Sequence, residues 1–506
     1  MRAGLLFFLV FVFGLASPDI GERQATSLLI RGGLVVDGTG RPGRVADVRV
    51  ESGRIAAVGR LAPREGERVL EAAGMVVAPG FIDAHSHTSG SMEESPTLES
   101  QVRQGITTAI VGQDGGSTLP ISQFFADVAK FRPAINFATF AGHGSLRRLA
   151  MGEDYKRPLK DAELQVMKDG LDQAMKDGAL GLSSGLEYDP GYYSNTVELI
   201  ELAKVASRYG GMYISHVRED GTHGMQQALE ELKLIAKEAK LPAQISHIKL
   251  AVAAKWFKAD DILKWIAESR KQGYDLTADV YPYLYWQSTI TVLTLDRNWE
   301  NREVWVKALA DVNGPGNVLL TRYTPDPAWQ GKTIEEISKS TGKDAIEVIQ
   351  EIVRKTHGPN ATGSESIVCT SMNEQDLGAF LKDPNVMFCS DGSHGGSHPR
   401  GAGSFPRIFG RYVRELKTLS LEEAVRRATS FPAHRFGLLE RGLIQVGKAA
   451  DIVVFDPKRI VDRATTANSR AMSEGVIHVL VNGVPVLESE TMTGARPGLG
   501  LRRGQP

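Results

Sequence analysis

The 506-residue chain has only two cysteines, Cys369 and Cys389, which excludes a disulfide-stapled scaffold. Cys389 lies inside the apolar run Val386-Met387-Phe388-Cys389 and reads as a buried small hydrophobe, not a nucleophile. Excess charge is missing too. A formal net charge of −1 gives no basis for a nucleic-acid partner or an anionic membrane surface. No low-complexity tract is present, and 42% hydrophobic with 24% charged residues is the balance of an ordinary folded protein. The apolar stretch at residues 5–16 is shorter than the roughly 20 residues that cross a bilayer. It follows Met1-Arg2-Ala3-Gly4 and ends on the small-x-small site Gly14-Leu15-Ala16, so residues 1–16 read as a signal peptide. An uncleaved anchor is the alternative, and the absence of a following cysteine argues against a lipid-anchored form. The mature chain is therefore expected to be exported, periplasmic or secreted, with no stable membrane span.

What is present is a high glycine count, 53, with many glycines placed just after apolar runs, as in tight turns at strand ends. Short alternating strands separated by turn signals such as Asp37-Gly38 and Ser52-Gly53 fill the N-terminal region. A similar set returns near the C-terminus, around residues 451–455 and 476–487 with Asn482-Gly483 between strands. Neither end has enough apolar residues for its own core. Residues 26–78 and 437–500 are expected to form one composite β-sandwich.

Between them, residues 79–436, apolar runs alternate with amphipathic helical segments. The strand candidates are residues 76–83, 107–112, 135–141, 180–184, 211–215, 242–246, 275–280 and 386–390. Eight β/α units closing into a TIM-like barrel is the economical α/β reading. The long gap before the eighth strand predicts an insertion, about residues 290–370, that covers the barrel mouth.

Chemistry in such barrels sits at the carboxyl ends of the strands, where this chain places its candidate ligands. His85 and His87 end the first strand and share one face, since residues i and i+2 of a strand point the same way. Two neutral imidazoles converging on one point suit zinc or a similar divalent ion. His216 and His247 end the fifth and sixth strands in matching Ile-Ser-His contexts, one β/α unit apart. Asp391 ends the eighth strand, opposite His85 and His87, where a carboxylate can take a proton from activated water. Helix capping is the alternative role for this aspartate.

The segment Pro79-Gly80-Phe81-Ile82-Asp83-Ala84-His85-Ser86-His87, the strand-end His216 and His247, and Asp391 together resemble the amidohydrolase superfamily. Within it the chain is similar to the N-acyl-D-amino-acid deacylases, or D-aminoacylases. That likeness is carried by Gly181-Leu182-Ser183-Ser184-Gly185-Leu186-Glu187-Tyr188, Ser246-His247-Ile248-Lys249, Asp279-Val280-Tyr281-Pro282-Tyr283 and His398-Pro399-Arg400. The resemblance implies a zinc-dependent enzyme, with one ion or two, that hydrolyses a small N-acylated amino acid. It implies that Arg400, Lys249, Tyr188 and Tyr281 hold the substrate carboxylate. The family commonly has Gly-Asn-Cys-Gly after the second strand, whereas this chain reads Gly112-Gln113-Asp114-Gly115. Asp114 thus stands where a cysteine thiolate binds metal, exchanging a soft donor for a hard one that can also bridge two ions. Glu187 is a second candidate bridge, and His143 a candidate outer-sphere residue.

Two other readings stay open at this level. One is a dipeptidase or hydantoinase acting on dipeptides or cyclic amides, against which stands the lack of a bridging lysine after the fourth strand. The other is a barrel kept as a binding protein without activity, against which stands a ligand set in which every member is kept or replaced by a chemically competent residue.

Overall fold

A computed structural model of the protein describes residues 27–219, 224–294, 296, 298–370 and 372–504. The segment read above as a signal peptide, residues 1–16, lies outside the described residues. Among those described, no helix is long and apolar enough to cross a membrane.

Eight parallel strands close a barrel: Phe81–Asp83, Ile106–Val111, Asn136–Thr139, Gly181–Gly185, Met212–His216, Ala243–Ile245, Leu276–Val280 and Val386–Phe388. The third strand is interrupted at Phe140 and resumes at Ala141–Gly142, which pairs with the fourth. The eighth meets the first through Ala84 N donating to Phe388 O (3.3 Å) and Asp391 N donating to His85 O (2.8 Å). Nearly every strand residue is buried, as expected where helices cover the outside and side chains fill the inside.

The run expected as one strand over residues 76–83 divides at Gly80. Val76–Pro79 pairs with the terminal strands, and Phe81–Asp83 begins the barrel. A Cβ on Gly80 would lie 2.2 Å from the Thr107 hydroxyl, so only glycine lets the chain cross here. Phe81 then stacks on Phe409 (4.8 Å between centroids) and Phe405 (5.4 Å), fixing the first strand to the helix Arg400–Arg407 after the eighth and to its continuation Ile408–Glu415.

The small domain draws strands from both termini, with Val76–Pro79 between Leu28–Val35 and Ile452–Phe455. Its hydrogen bonding runs as one nine-stranded sheet, not two separate sheets. The sheet bends round one apolar core that includes Ile30, Val48, Val77, Ile452 and Leu480. A bulge between Ile30 and Gly33 lets Leu28–Val35 serve two partners, Arg68–Glu71 and then Val76–Pro79. Past the last strand the chain leaves this domain and lies along the third barrel strand, where Phe137 N donates to Leu499 O (2.9 Å) and Leu501 N to Phe137 O (2.7 Å).

The insertion has its own core and a four-stranded sheet of Tyr285–Ser288, Glu365–Thr370, Val318–Tyr323 and Lys332–Thr333. Its helices include Arg302–Asp311 and Ala345–His357. Trp286, Leu293, Ala308 and Val312 line a cavity that also contains His87, His247 and Asp391, so the insertion roofs the barrel mouth.

Candidate metal centre

The side chains that end the barrel strands converge. Donor atoms of His85, Asp114, His247 and Asp391 all lie within 4.8 Å of one another, the arrangement a metal ion requires. His87 adjoins them, with Nε2 3.3 Å from Asp114 Oδ2 and 3.2 Å from Asp391 Oδ1. His216 adjoins on the other side, its Nδ1 2.9 Å from His247 Nε2. The carboxylate of Asp114 faces both groups, Oδ2 toward His85 (3.4 Å) and His87, Oδ1 toward His247 (3.5 Å).

Backbone geometry serves this convergence. Asp114, His247 and Asp391 all have positive φ, at 52°, 33° and 48°, a conformation that costs non-glycine residues energy and gathers at functional sites. The Asp114 loop approaches the fourth strand so closely that a Cβ on Gly185 would lie 2.3 Å from Asp114 O.

His85 is fully buried, yet neither ring nitrogen has a hydrogen-bond partner, and Asp114 Oδ1 has none either. Buried polar atoms are rarely left so, and a divalent ion would satisfy them. At His85 and His87 burial is outweighed by the Asp114 and Asp391 carboxylates, which raise the imidazolium, to about 10 at His87. At His247, Asp114 and Asp391 electrostatics favour the ligating forms. Burial and the nearby Lys249 ammonium push the His247 imidazolium down to about 3, keeping the ring neutral. Burial tends to raise the Asp114 carboxyl, but the His85 and His247 rings hold it well below the usual carboxylate range. At Asp391 burial is likewise outweighed, chiefly by Arg400, and the group stays ionised. The donors present therefore suit zinc or another divalent ion.

Arg400 does not stand apart from this set. Its guanidinium lies 2.5 Å from Asp391 Oδ2 and over the Tyr281 ring, 4.8 Å from the centroid. Lys249 Nζ sits 2.9 Å from His247 Nδ1, and the Tyr188 hydroxyl 3.2 Å from His216 Nδ1. Glu187 Oε2 meets His216 Nε2 at 3.0 Å, so it pairs with a ring instead of joining the four-residue group. His143 departs from expectation. Its Nε2 bonds Glu198 Oε1 (2.8 Å), Glu198 Oε2 meets Arg147 (2.5 Å), and none of the three lines the cavity. The helix Thr196–Arg208, capped by Asn195, sets Glu198 in its first turn, close enough to capture the ring.

Two buried carboxylates escaped the sequence reading. Asp279 accepts the His247 backbone N–H (2.8 Å) and the Gln244 amide (2.6 Å), and lies 3.8 Å from His85 Nδ1. Asp83 accepts Ser390 N (2.7 Å) and Ser390 Oγ (2.5 Å), tying the first strand to the residue before Asp391. Burial raises both, Asp83 to about 6. The available signal was an acidic residue inside an otherwise apolar strand.

Imidazoles and carboxylates gathered at the carboxyl ends of a parallel barrel define a metal-dependent barrel hydrolase. The chain belongs to the amidohydrolase family, whose model matches residues 68–487. The N-acyl-D-glutamate deacylase of Alcaligenes xylosoxydans xylosoxydans is 35% identical over 505 residues, covering 95% of this chain and 97% of the relative. The D-aminoacylase of the same organism is 32% identical over 507 residues, covering 95% and 99%. An N-acyl-D-glutamate deacylase from Bordetella bronchiseptica was solved with zinc and a phosphonate mimic of the tetrahedral intermediate. It matches with a TM-score of 0.84 at 33% identity, over 95% of this chain and 100% of that one. A D-aminoacylase described as having a binuclear metal centre matches with a TM-score of 0.82 at 32% identity, over 94% and 99%.

Proposed function

We propose that this chain is a metal-dependent amide hydrolase that releases a carboxylate and a free D-amino acid from an N-acyl-D-amino acid. The observation that carries the reading is the buried His85, Asp114, His247 and Asp391 group, with unpartnered donors, opening into a cavity that also holds Arg400 and Lys249. The relatives named above, alike over nearly their whole length, supply the substrate class.

His85, His247 and Asp114 would hold the ion, with His87 and His216 completing the site. Bound there, zinc or a similar ion supplies Lewis-acid polarisation of the scissile carbonyl and lowers the pKa of the attacking water. Asp391 does the proton work. Arg400 keeps it ionised, so Oδ1 can take the water's proton and pass it to the departing nitrogen. Arg400 spends one amino group on Asp391, while its buried Nε has no partner. A guanidinium has five donors, so Arg400 can orient Asp391 and still meet the substrate carboxylate. Lys249, Tyr188 and Tyr281 share that task from neighbouring strand ends, and a carboxylate fixed on this side presents only one hand of the α-carbon to the reacting centre.

The test is release of free amino acid from matched N-acyl-D- and N-acyl-L-amino acids. D-selective release supports the reading. Hydrolysis of dihydropyrimidines or hydantoins in place of both would replace it with the cyclic-amide alternative. Residues 1–16 support a further proposal, export of the mature chain. Mass spectrometry of protein from the periplasmic fraction would show a chain lacking them, and an intact N-terminus in the cytoplasm would contradict export.

A further inference from the structure

The cavity above the metal residues measures about 810 Å³, toward the upper end of the roughly 300–1,000 Å³ seen in small-molecule sites. An N-acetyl amino acid with a short side chain would fill a small part of it. The barrel supplies the polar wall, with Lys249, Tyr281 and Arg400. The insertion supplies a wall of mixed character, with polar Gln287, Ser288, Thr289 and Ser366 and an apolar patch. Trp286, Leu293, Ala308 and Val312 are buried there, and Val304 is half-buried. Ala251, two residues beyond Lys249, continues the apolar surface toward the insertion, and the turn after it, Ala253–Lys255, packs on the helix Arg302–Asp311.

Among the described residues, the cations lining the insertion side are exposed, and its other charges, Asp296, Asp311 and Glu365, are acidic. Lys307 and Arg322 reach the cavity but are solvent-exposed, which places them at its rim. Through Oε1 the buried Glu365 carboxylate accepts Ile290 N (2.8 Å) and meets His357 Nε2 (2.9 Å), and its Oε2 has no hydrogen-bond partner. A second substrate carboxylate pressed against this wall would lose water and, among the described residues, find no buried cation.

Resting on the deacylase reading, we infer that the enzyme is built for N-acyl amino acids bearing an extended apolar group. Medium-chain fatty acyl and arylalkyl groups fit this description. N-acetyl derivatives of small or acidic amino acids do not.

Two substrate series test this on the purified full chain. One lengthens the acyl group on D-alanine from acetyl to decanoyl. The other keeps acetyl and varies the D-amino acid from alanine through leucine and phenylalanine to glutamate. At about 0.8 kcal/mol per buried methylene, kcat/KM should rise by up to roughly fourfold per methylene until the wall is filled. The arm that rises tells whether the apolar group belongs to the acyl or the amino-acid half, and N-acetyl-D-glutamate should be among the poorest substrates. Val304→Trp, which narrows the cavity, should lower the ratio of longest to shortest substrate. Turnover with flat profiles in both arms, or best activity on N-acetyl-D-glutamate, would overturn this inference and leave the deacylase reading standing. No turnover of any member would overturn both.

Discussion

Two buried groups of imidazole and carboxylate sit near the carboxyl ends of the barrel strands, and they differ in what satisfies them. Around His143, both oxygens of Glu198 are taken, one by the ring and one by Arg147, and the group does not line the cavity over the barrel mouth. Around His85, the carboxylates lie 3.4 and 3.6 Å from Nε2, yet the ring makes no hydrogen bond. The first group is an internal ion pair that holds the helix Thr196–Arg208 to the helix His143–Met151. The second presents unpartnered donors that a divalent ion would satisfy. Both groups set a buried histidine just past a barrel strand against a carboxylate, so partner geometry separates a ligand site from a structural one.

Breaking the two groups should have opposite consequences. Asp391→Asn should lower kcat by about 10²–10⁴ or more through loss of proton transfer, with metal content unchanged by elemental analysis. Full activity would remove Asp391 from that role. Asp279→Asn should weaken metal affinity by about 10–100-fold, the usual cost of losing a carboxylate behind the ligands. A chelator competition would measure it, and unchanged affinity would make Asp279 only a core residue. Glu198→Ala leaves the buried Arg147 uncompensated and should cost about 3–5 kcal/mol of stability, seen in denaturant unfolding. Metal per folded molecule should not change.

The smallest effect extends the contrast to the small domain. The Arg49 guanidinium beside Glu67 holds that carboxyl down to about 2, below its ordinary 4.5. Its stabilising contribution is therefore complete above pH 4.5 and is lost as pH falls toward 2. Glu67→Gln should flatten this part of the acid-stability curve, and an unchanged curve would show that the pair contributes nothing.

Much of this was legible in the chain. Strand ends read well because alternating apolar runs and helices leave little choice in a parallel barrel, and His85, His87, Asp114, His216, His247 and Asp391 do come together. The break at Gly80 was hidden because one apolar run serves two domains without a polar residue to mark the crossing. His143 misled because Glu198, which captures it, lies on a helix 55 residues later. Asp83 and Asp279 were passed over because their value lies in backbone and serine donors that the fold alone supplies. The insertion was visible as length, but which of its residues face the cavity depends on its own sheet.

Metal stoichiometry on three purified full-length proteins tests the account most directly: wild type, Asp114→Ala and Glu198→Gln. Bound divalent metal is expected in the wild type and in Glu198→Gln, and its loss in Asp114→Ala. Full metal in Asp114→Ala, or none in the wild type after supplementation with zinc, would contradict it.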